Sequence, residues 1–329
     1  MAAIRPEILK IEKVLVRDLE QATANADPLL SQVLEHGILN GGKRLRPLLV
    51  VLSSKLCGGA GSGTGTGIYE LAIAFEYLHG ATLFHDDVID SANMRRGKAS
   101  VNKAFGSIAA ILGGDFLHSR SMNLVGSLGG KEALQIFCQA TNAMVDGEFL
   151  QLRNAQNYNI SEADYFSAVR GKTALLIAAT CEIGALAADA PVAKRQALAE
   201  YGLSLGTAFQ IIDDLLDYQG DVVQTGKEIG NDFKEAKMTL PLILALEAAG
   251  KEDKERLLFL LDDRKTRQNG FQEACELIVK YEGFSRSRQR AETMVTKAVT
   301  GLALFANEKN SSTLSIFEAL AQYVLTRDK

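Results

Sequence analysis

Apolar residues recur along nearly the whole chain at three- and four-residue spacing, the period of an α-helix. Over residues 7–23, Ile8, Ile11, Val14, Leu15 and Leu19 alternate with Lys, Arg and Glu, which predicts an amphipathic outer helix. Asp27-Pro28 opens a second, shorter helix that ends near His36-Gly37. The run Leu48-Leu49-Val50-Val51-Leu52 is apolar on every side, so the helix at 47–57 is predicted to be buried. Further helices are predicted over 68–90, 107–127, 131–153, 173–188, 192–217, 240–249, 271–280, 285–306 and 315–327. Ser161-x-x-Asp164 marks one more helix start, because the serine can cap open backbone N–H groups. Residues 251–267 read as charged, solvent-facing turns, and 58–67, 91–106 and 219–236 as loops. Strand alternation, a domain linker and a short repeat are all missing. The pattern predicts an all-α protein forming one domain over residues 1–329.

Two of the predicted helices close on the same acidic spelling. His85-Asp86-Asp87-Val88-Ile89-Asp90 ends the first, and Asp213-Asp214-Leu215-Leu216-Asp217 ends the second. At about 100° per residue, positions four apart lie about 40° apart on one face. Asp86 and Asp90 therefore share a face, as do Asp213 and Asp217, with Asp87 and Asp214 on the flanks. Three carboxylates so close together repel one another unless a cation lies between them. Hard oxygen ligands of this kind suit Mg²⁺, which keeps several waters and takes its remaining ligands from substrate phosphates. A single cluster could equally be a solvated acidic helix end. Two copies, each closing an apolar helix, weigh against that reading.

The cationic residues are also grouped. Gly41-Gly42-Lys43-Arg44-Leu45-Arg46-Pro47 precedes the buried helix, and Met94-Arg95-Arg96-Gly97-Lys98 follows the first Asp cluster. Lys172-Thr173 heads an apolar helix, while Gly226-Lys227-Glu228-Ile229-Gly230-Asn231-Asp232 and Lys237-Met238-Thr239-Leu240-Pro241 follow the second cluster. Mg²⁺-binding carboxylates beside separate Lys and Arg clusters describe a site for two diphosphate groups. Neither glycine-rich stretch is a nucleotide-binding P-loop. Residues 58–67 lack a Gly-Lys-Ser/Thr ending, and Gly171-Lys172-Thr173 has Phe166 where the motif needs glycine.

Composition narrows the partners. A net charge of -4 gives no global reason to expect nucleic acid, and the local cations suit a small anion. Cys57, Cys138, Cys181 and Cys275 are scattered with no Cys-x-x-Cys pair, as expected for core residues of a reducing, cytoplasmic compartment. The N-terminus lacks a signal peptide's hydrophobic stretch, and the most apolar segment, 173–190, is interrupted by Glu182. No transmembrane helix is expected. Transient contact with the inner face of a membrane remains compatible with the sequence.

From Gly41 to Pro241, and more weakly in Tyr323-x-x-x-Arg327, the chain resembles the trans-isoprenyl (polyprenyl) diphosphate synthases. Five motifs recur in order: Gly-Gly-Lys-x-x-Arg-Pro, Asp-Asp-x-x-Asp with Arg-Arg-Gly, Lys-Thr, Phe-Gln-x-x-Asp-Asp-x-x-Asp, and Gly-Lys-x-x-Gly-x-Asp. The resemblance implies a single-domain bundle of long helices around a deep central apolar cavity, in a homodimer. It implies that isopentenyl diphosphate is condensed head-to-tail onto an allylic diphosphate, with Mg²⁺ as cofactor. Carried over by residue, Asp86, Asp87, Asp90 and Asp213 hold Mg²⁺, with Asp214 and Asp217 nearby. Arg95, Lys172 and Lys227 resemble contacts to the allylic diphosphate, with Lys237 at its edge. Lys43, Arg46, His79 and Arg96 match the isopentenyl diphosphate pocket, although His79 also reads as a core histidine. Phe209 and Gln210 resemble the pair that lines the reacting carbon atoms.

Product length is a steric question. Counting back from Asp86 along the helix reaches Thr82, Ala81, Leu78 and Phe75, all roughly beneath the carboxylates. Short-chain members of the family carry large aromatic residues just before the motif, whereas this chain has Ala81 and Thr82. A growing tail can pass that level, about 6–7 Å down at 1.5 Å per residue, while Phe75 lies about 16 Å down. Met122 is a further candidate for the floor. The segment 232–241 and the closing residues also resemble long-chain members. The expectation is a long-chain synthase with a C40–C50 product, primed by farnesyl or geranylgeranyl diphosphate. A short-chain (C15 or C20) synthase and a catalytically silent subunit of a heteromeric synthase are the alternatives.

Overall fold

The computed structural model describes residues 2–59, 67–154, 158, 161–219, 229–306 and 311–327. Its helices are α1 (Arg5–Thr23), α2 (Pro28–Ile38), α3 (Leu45–Leu56), α4 (Ile68–Ile89), α5 (Val101–Phe105), α6 (Ser107–Asn154), α7 (Glu162–Val169) and α8 (Leu175–Leu186). They continue as α9 (Val192–Gln219), α10 (Asn231–Lys234), α11 (Leu240–Ala248), α12 (Lys251–Leu260), α13 (Arg264–Lys280), α14 (Gly283–Gly301) and α15 (Ser311–Thr326). The protein is all-α. Among the described residues the only strands are the two-residue pair β1 (Met94–Arg95) and β2 (Lys98–Ala99).

The structure departs from the sequence reading in several places: residues 251–267, read as turns, form α12 and the start of α13, and the loop read at 219–236 contains α10. The loop expected at 91–106 contains the β1–β2 hairpin and α5, whose N-terminal cap is the Ser100 hydroxyl accepting from Lys103 N–H. The helices expected at 107–127 and 131–153 both form within the stretch labelled α6, parted at Gly130, whose φ of 75° and ψ of -171° are non-helical. That positive φ is open to glycine and costly for other residues, which explains why the break falls there. A π-helical turn, Arg170–Ala174, precedes α8. Helix α13 begins seven residues earlier than expected, because Asp263 caps the N–H groups of Lys265 and Thr266. The capping box at Ser161 and Asp164 forms as read.

The chain divides into two compact units. The first comprises Met1–Gln139, Ala179–Ala199 and Phe305–Ile316. Its core is the seam of α3 and α4, where Leu48 to Leu52 and Leu71 to Phe75 are buried almost without interruption. Helix α1 covers this seam with Ile11, Leu15 and Leu19 and keeps its charged face outward. Asp18 of α1 ties the layers together by accepting from Tyr77 Oη at 2.9 Å and from Arg120. Gly184 packs so closely that a Cβ there would lie 2.3 Å from the Val50 carbonyl oxygen.

The second unit comprises Ala140–Ala178, Glu200–Leu304 and Phe317–Lys329. Helix α11 is its centre, buried from Leu240 to Leu246 and packed against α14, α13 and α7. Burying each such Leu or Ile contributes about 1.5–3 kcal/mol, which is why so apolar a nine-residue segment occupies an interior position. Tyr201 fixes the C-terminal helix α15 by donating to the Phe317 carbonyl at 2.8 Å and meeting its ring edge-on.

Candidate active site

In the first unit, α4 delivers Asp86, Asp87 and Asp90 to its C-terminal end, where Asp90 is the capping residue. This is the negative pole of the helix dipole, so three carboxylates there are unfavourable without added positive charge. Arg95 on β1 supplies part of it. Its Nε and Nη2 donate to Asp87 Oδ1 at 3.0 and 2.5 Å, and Asp87 is buried. Asp86 is half-buried and Asp90 exposed. Asn102 and Ala92 both donate to the Asp87 carbonyl oxygen, which holds the chain turn after the helix.

A cationic group lies in the same unit. Arg96, at φ 51°, donates through Nη1 to the Gly41 carbonyl at 2.5 Å, tying the Arg-Arg-Gly segment to the Gly-Gly turn. Gly42 has φ 140°, a conformation that favours glycine, and a Cβ on it would also displace Arg96 Nη1, 2.8 Å away. Arg44 is buried, donates to Glu76 Oε1 at 2.6 Å and to the Ile38 carbonyl at 3.0 Å, and stands in the left-handed region. Arg46 is half-buried with its Nε unpartnered, while Lys43 is exposed. Burial, opposed by Glu76 and reinforced by Arg96, holds Arg46 below the usual arginine range. Arg44 faces two carboxylates, Glu76 and, at 4.0 Å, Glu12, while Arg46 and Arg96 add further guanidinium groups beside them. Clustered guanidinium groups of this kind suit a polyanionic ligand.

His79 lies within the field of these arginines. Burial, then the cations Arg46, Arg96, Arg95 and Arg44, push its imidazole well below the usual histidine range. The ring is neutral at pH 7. The sign of the consequence follows from linkage: the unfolded chain binds this proton near pH 6.5 and the folded protein does not. Stability from this group is present above pH 6.5 and is lost as pH falls, by at most about 1.4 kcal/mol per pH unit. The expected result is that His79→Gln loses less stability than wild type between pH 7.5 and 5.5. Urea unfolding at the two pH values measures it, and equal losses would remove the case for a neutral His79.

In the second unit, α9 carries Asp213, Asp214 and Asp217 near its C-terminal end. They have different environments. Asp214 is buried and accepts from Tyr165 Oη at 2.6 Å, Gln210 Nε2 at 3.0 Å and Lys237 Nζ at 3.3 Å. Asp217 accepts from the Asp232 N–H at 2.9 Å. Asp213 is 58% exposed at its side chain, and its Oδ1 accepts from Arg327 Nη2 at 3.0 Å. Burial raises the Asp214 and Asp217 carboxyls, opposed at Asp214 by the Lys237 cation and at Asp217 by the Asp232 N–H. For Lys237, burial alone would favour the neutral amine, but Asp214 and Asp232 together hold it protonated.

Lys172 sits in the π-helical turn, where its Nζ donates to Gln151 Oε1 at 3.0 Å and pairs with Glu148 at 2.7 Å. Two glycines make the placement possible. A Cβ on Gly147 would lie 2.5 Å from Lys172 N, and one on Gly171 would lie 2.7 Å from the Ala143 carbonyl oxygen. Thr173 Oγ1 donates to Gln210 Oε1 at 3.1 Å, which aims the Gln210 amide nitrogen at Asp214. Gln151, Tyr165, Lys172, Gln210, Asp214 and Lys237 are among the residues lining a cleft of about 140 Å³ within this unit.

Lys227 lies outside the described residues. The structure therefore gathers Lys43, Arg46, His79, Arg96 and Arg95 with the first carboxylates in one unit, and Lys172, Gln210 and Lys237 with the second carboxylates in the other. Of the residues considered for product length, Phe75, Leu78 and Ala81 are buried on α4 and Thr82 donates to the His79 carbonyl. Phe75 meets Phe137 edge-on with ring centres 5.4 Å apart, and Met122 on α6 is 37% exposed. Tyr165 and Glu76 lie beside the candidate residues but outside the motifs, and Arg44, quoted among the clustered cations, had no role assigned to it. Glu76, the one charged residue within Leu71–Leu78, carried a signal in its position alone.

Among the described residues no three His, Cys, Asp or Glu side chains form a group able to hold a metal ion. Mg²⁺ does not need one, since water and substrate oxygens ordinarily complete its shell around one or two carboxylates. Asp86, Asp90 and Asp213 fit that requirement in chemistry and exposure. Asp87 and Asp214 are buried against Arg95 and Lys237, whereas Asp213 stays 58% exposed although it pairs with Arg327.

No helix among the described residues is long and apolar enough to cross a membrane. Residues 27–278 match the family model described as polyprenyl synthetase. The octaprenyl diphosphate synthase of Escherichia coli (strain K12) is 37% identical over 284 residues, covering 86% of either chain. A polyprenyl synthase from Caulobacter crescentus CB15, complexed with calcium and isoprenyl diphosphate, superposes with a TM-score of 0.88 at 35% identity, over 99% of this chain and 97% of that one. A decaprenyl diphosphate synthase from Rhodobacter capsulatus gives 0.89 at 32% identity, over 100% and 98%. With the all-α fold, the two acidic helix ends and the cationic groups beside them, these likenesses establish that the chain belongs to the polyprenyl synthetase family and is a trans-prenyltransferase.

Proposed function

We propose that the protein is a long-chain polyprenyl diphosphate synthase that condenses isopentenyl diphosphate head-to-tail onto an allylic diphosphate, to a product of C40–C50. The observation that carries this reading is the presence of two acidic helix ends and separate cationic groups, one of them Arg44, Arg46, Arg95 and Arg96 around a neutral histidine. In the proposal the two compact units work as one prenyltransferase domain within a homodimer. Asp86, Asp90 and Asp213 hold Mg²⁺, which offsets the negative charge that develops on the departing diphosphate. Asp87, Asp214 and Asp217 orient the residues around them. Lys43, Arg46, Arg96 and His79 bind isopentenyl diphosphate. Arg95, Lys172, Gln210, Lys227 and Lys237 bind the allylic diphosphate.

The allylic C–O bond ionises, the isopentenyl double bond attacks C1, and a proton then leaves to the released diphosphate. The cationic side chains, fixed before the reaction, stabilise the leaving group without reorganising. Incubation with Mg²⁺, labelled isopentenyl diphosphate and farnesyl diphosphate, followed by sizing of the extracted products, tests the proposal. A dominant C40–C50 product is expected. A product ending at C20 would keep the reaction and discard the length. No product from either farnesyl or dimethylallyl primer would favour the silent-subunit reading.

Chain length has its own test. Ala81 is buried on α4, one turn below Phe84 and one above Tyr77, and its side chain is far smaller than an aromatic ring. Ala81→Phe is expected to shorten the main product to C20 or less while isopentenyl diphosphate is still consumed. An unchanged product from the folded variant would place the length control elsewhere, with Met122 the next residue to change.

A further inference from the structure

We infer that Arg327, just after α15, is a positioning residue that holds Asp213 in the orientation needed to bind metal. The inference rests on the function proposed above, because it assigns Asp213 a divalent cation. Arg327 is buried at 6% exposure although it follows the last helix, α15. Its guanidinium lies 3.8 Å from the centre of the Phe209 ring, and Nη2 donates to the Phe209 carbonyl at 3.0 Å as well as to Asp213 Oδ1 at 3.0 Å.

Three contacts from one group to a single turn of α9 fix that group in place. A guanidinium stacked on an aromatic face and bonded to a backbone carbonyl is pre-organised, so its remaining hydrogen bond constrains the carboxylate and not the reverse. The other carboxylates of the cluster have different supports: Asp214 has Tyr165, Gln210 and Lys237, and Asp217 has the Asp232 N–H. Among the described residues, Arg327 is the cation in direct contact with Asp213, and Lys237 acts on it only through the field. With one oxygen held and more than half of its side chain exposed, Asp213 presents itself to a cation in a single rotamer. Groups that orient a metal-bound carboxylate in this way typically change affinity by about 10–100-fold when removed.

The test is direct metal binding, read apart from turnover. Mn²⁺ is titrated into the full chain with inorganic diphosphate present, and bound ion is followed by electron paramagnetic resonance. Arg327→Gln is expected to weaken Mn²⁺ binding by about 10-fold or more, and Arg327→Lys by less, because the charge is kept and the fork is lost. The KM for isopentenyl diphosphate is expected to stay as in wild type. In an Asp213→Asn background, Arg327→Gln should add little, since the residue acts through Asp213. Several outcomes overturn the inference: unchanged Mn²⁺ affinity, tighter binding (Arg327 would then be a competitor), or an equal loss in the Asp213→Asn background, which would mark a structural role. Wild-type protein that binds no Mn²⁺ would instead overturn the metal assignment in the proposed function, a separate result.

Discussion

Asp86→Ala is expected to lower turnover by about 10²–10³-fold or more while leaving the apo protein folded. The two halves of this result have one cause. Asp86 and Asp90 lie at the negative end of α4, with Asp87 between them. Removing one carboxylate from that position relieves repulsion, worth about 0.3–1 kcal/mol for a charge beside a helix terminus. Folding stability should therefore be unchanged or slightly improved. The lost oxygen ligand, by contrast, offsets charge that appears only as the diphosphate leaves, so the penalty falls on the reaction. Product formation under saturating Mg²⁺ and a thermal melt of the same sample measure both. If turnover stayed within about tenfold of wild type, the acidic helix end would be a solvated face and the metal assignment would fail.

Lys237→Met should produce the opposite pattern, a stability loss together with an activity loss. Two of the three N–H donors of its ammonium go to Asp214 and Asp232, at 3.3 and 2.9 Å. Asp214 is buried, and Tyr165 and Gln210 would remain as its neutral donors. Methionine fills the space but leaves two neighbouring carboxylates without a cation. Breaking a buried pair by removing one partner costs about 3–5 kcal/mol, and the partial exposure of Lys237 argues for the lower end. A fall in melting temperature of roughly 5–10 °C is expected. Lys237→Arg should recover much of the stability, because charge is what is missing. A Lys237→Met protein that melted with wild type would show that Asp214 and Asp232 are not ionised together, and the network as described would be wrong.

The motifs were legible because they obey local geometry. Asp-Asp-x-x-Asp puts two carboxylates on one helix face whatever surrounds it, and Gly41-Gly42 announces a turn that only glycine tolerates at φ 140°. The Ser161 cap and the buried α3 were legible for the same reason: each depends on residues within one or two turns. Helix α12, within 251–267, was not, since its mostly charged surface reads as solvent-facing turns. The π-helical turn under Lys172 was equally hidden. It depends on Gly147, which lies 25 residues earlier, leaving room for the Lys172 backbone.

The sequence by itself determined the all-α class, the two acidic helix ends, the cationic groups and, through their order, the family. These follow from spacing and residue type, which act over a few residues. Only the tertiary structure decided how the six aspartates differ. Asp87 and Asp214 are buried beside Arg95 and Lys237, and Asp86, Asp90 and Asp213 keep part of their surface open. It also decided that Arg327 reaches Asp213, across 114 residues of chain. Identical spellings acquire different chemistry because charge, burial and hydrogen bonding are set by neighbours in space, and those neighbours come from distant parts of the chain.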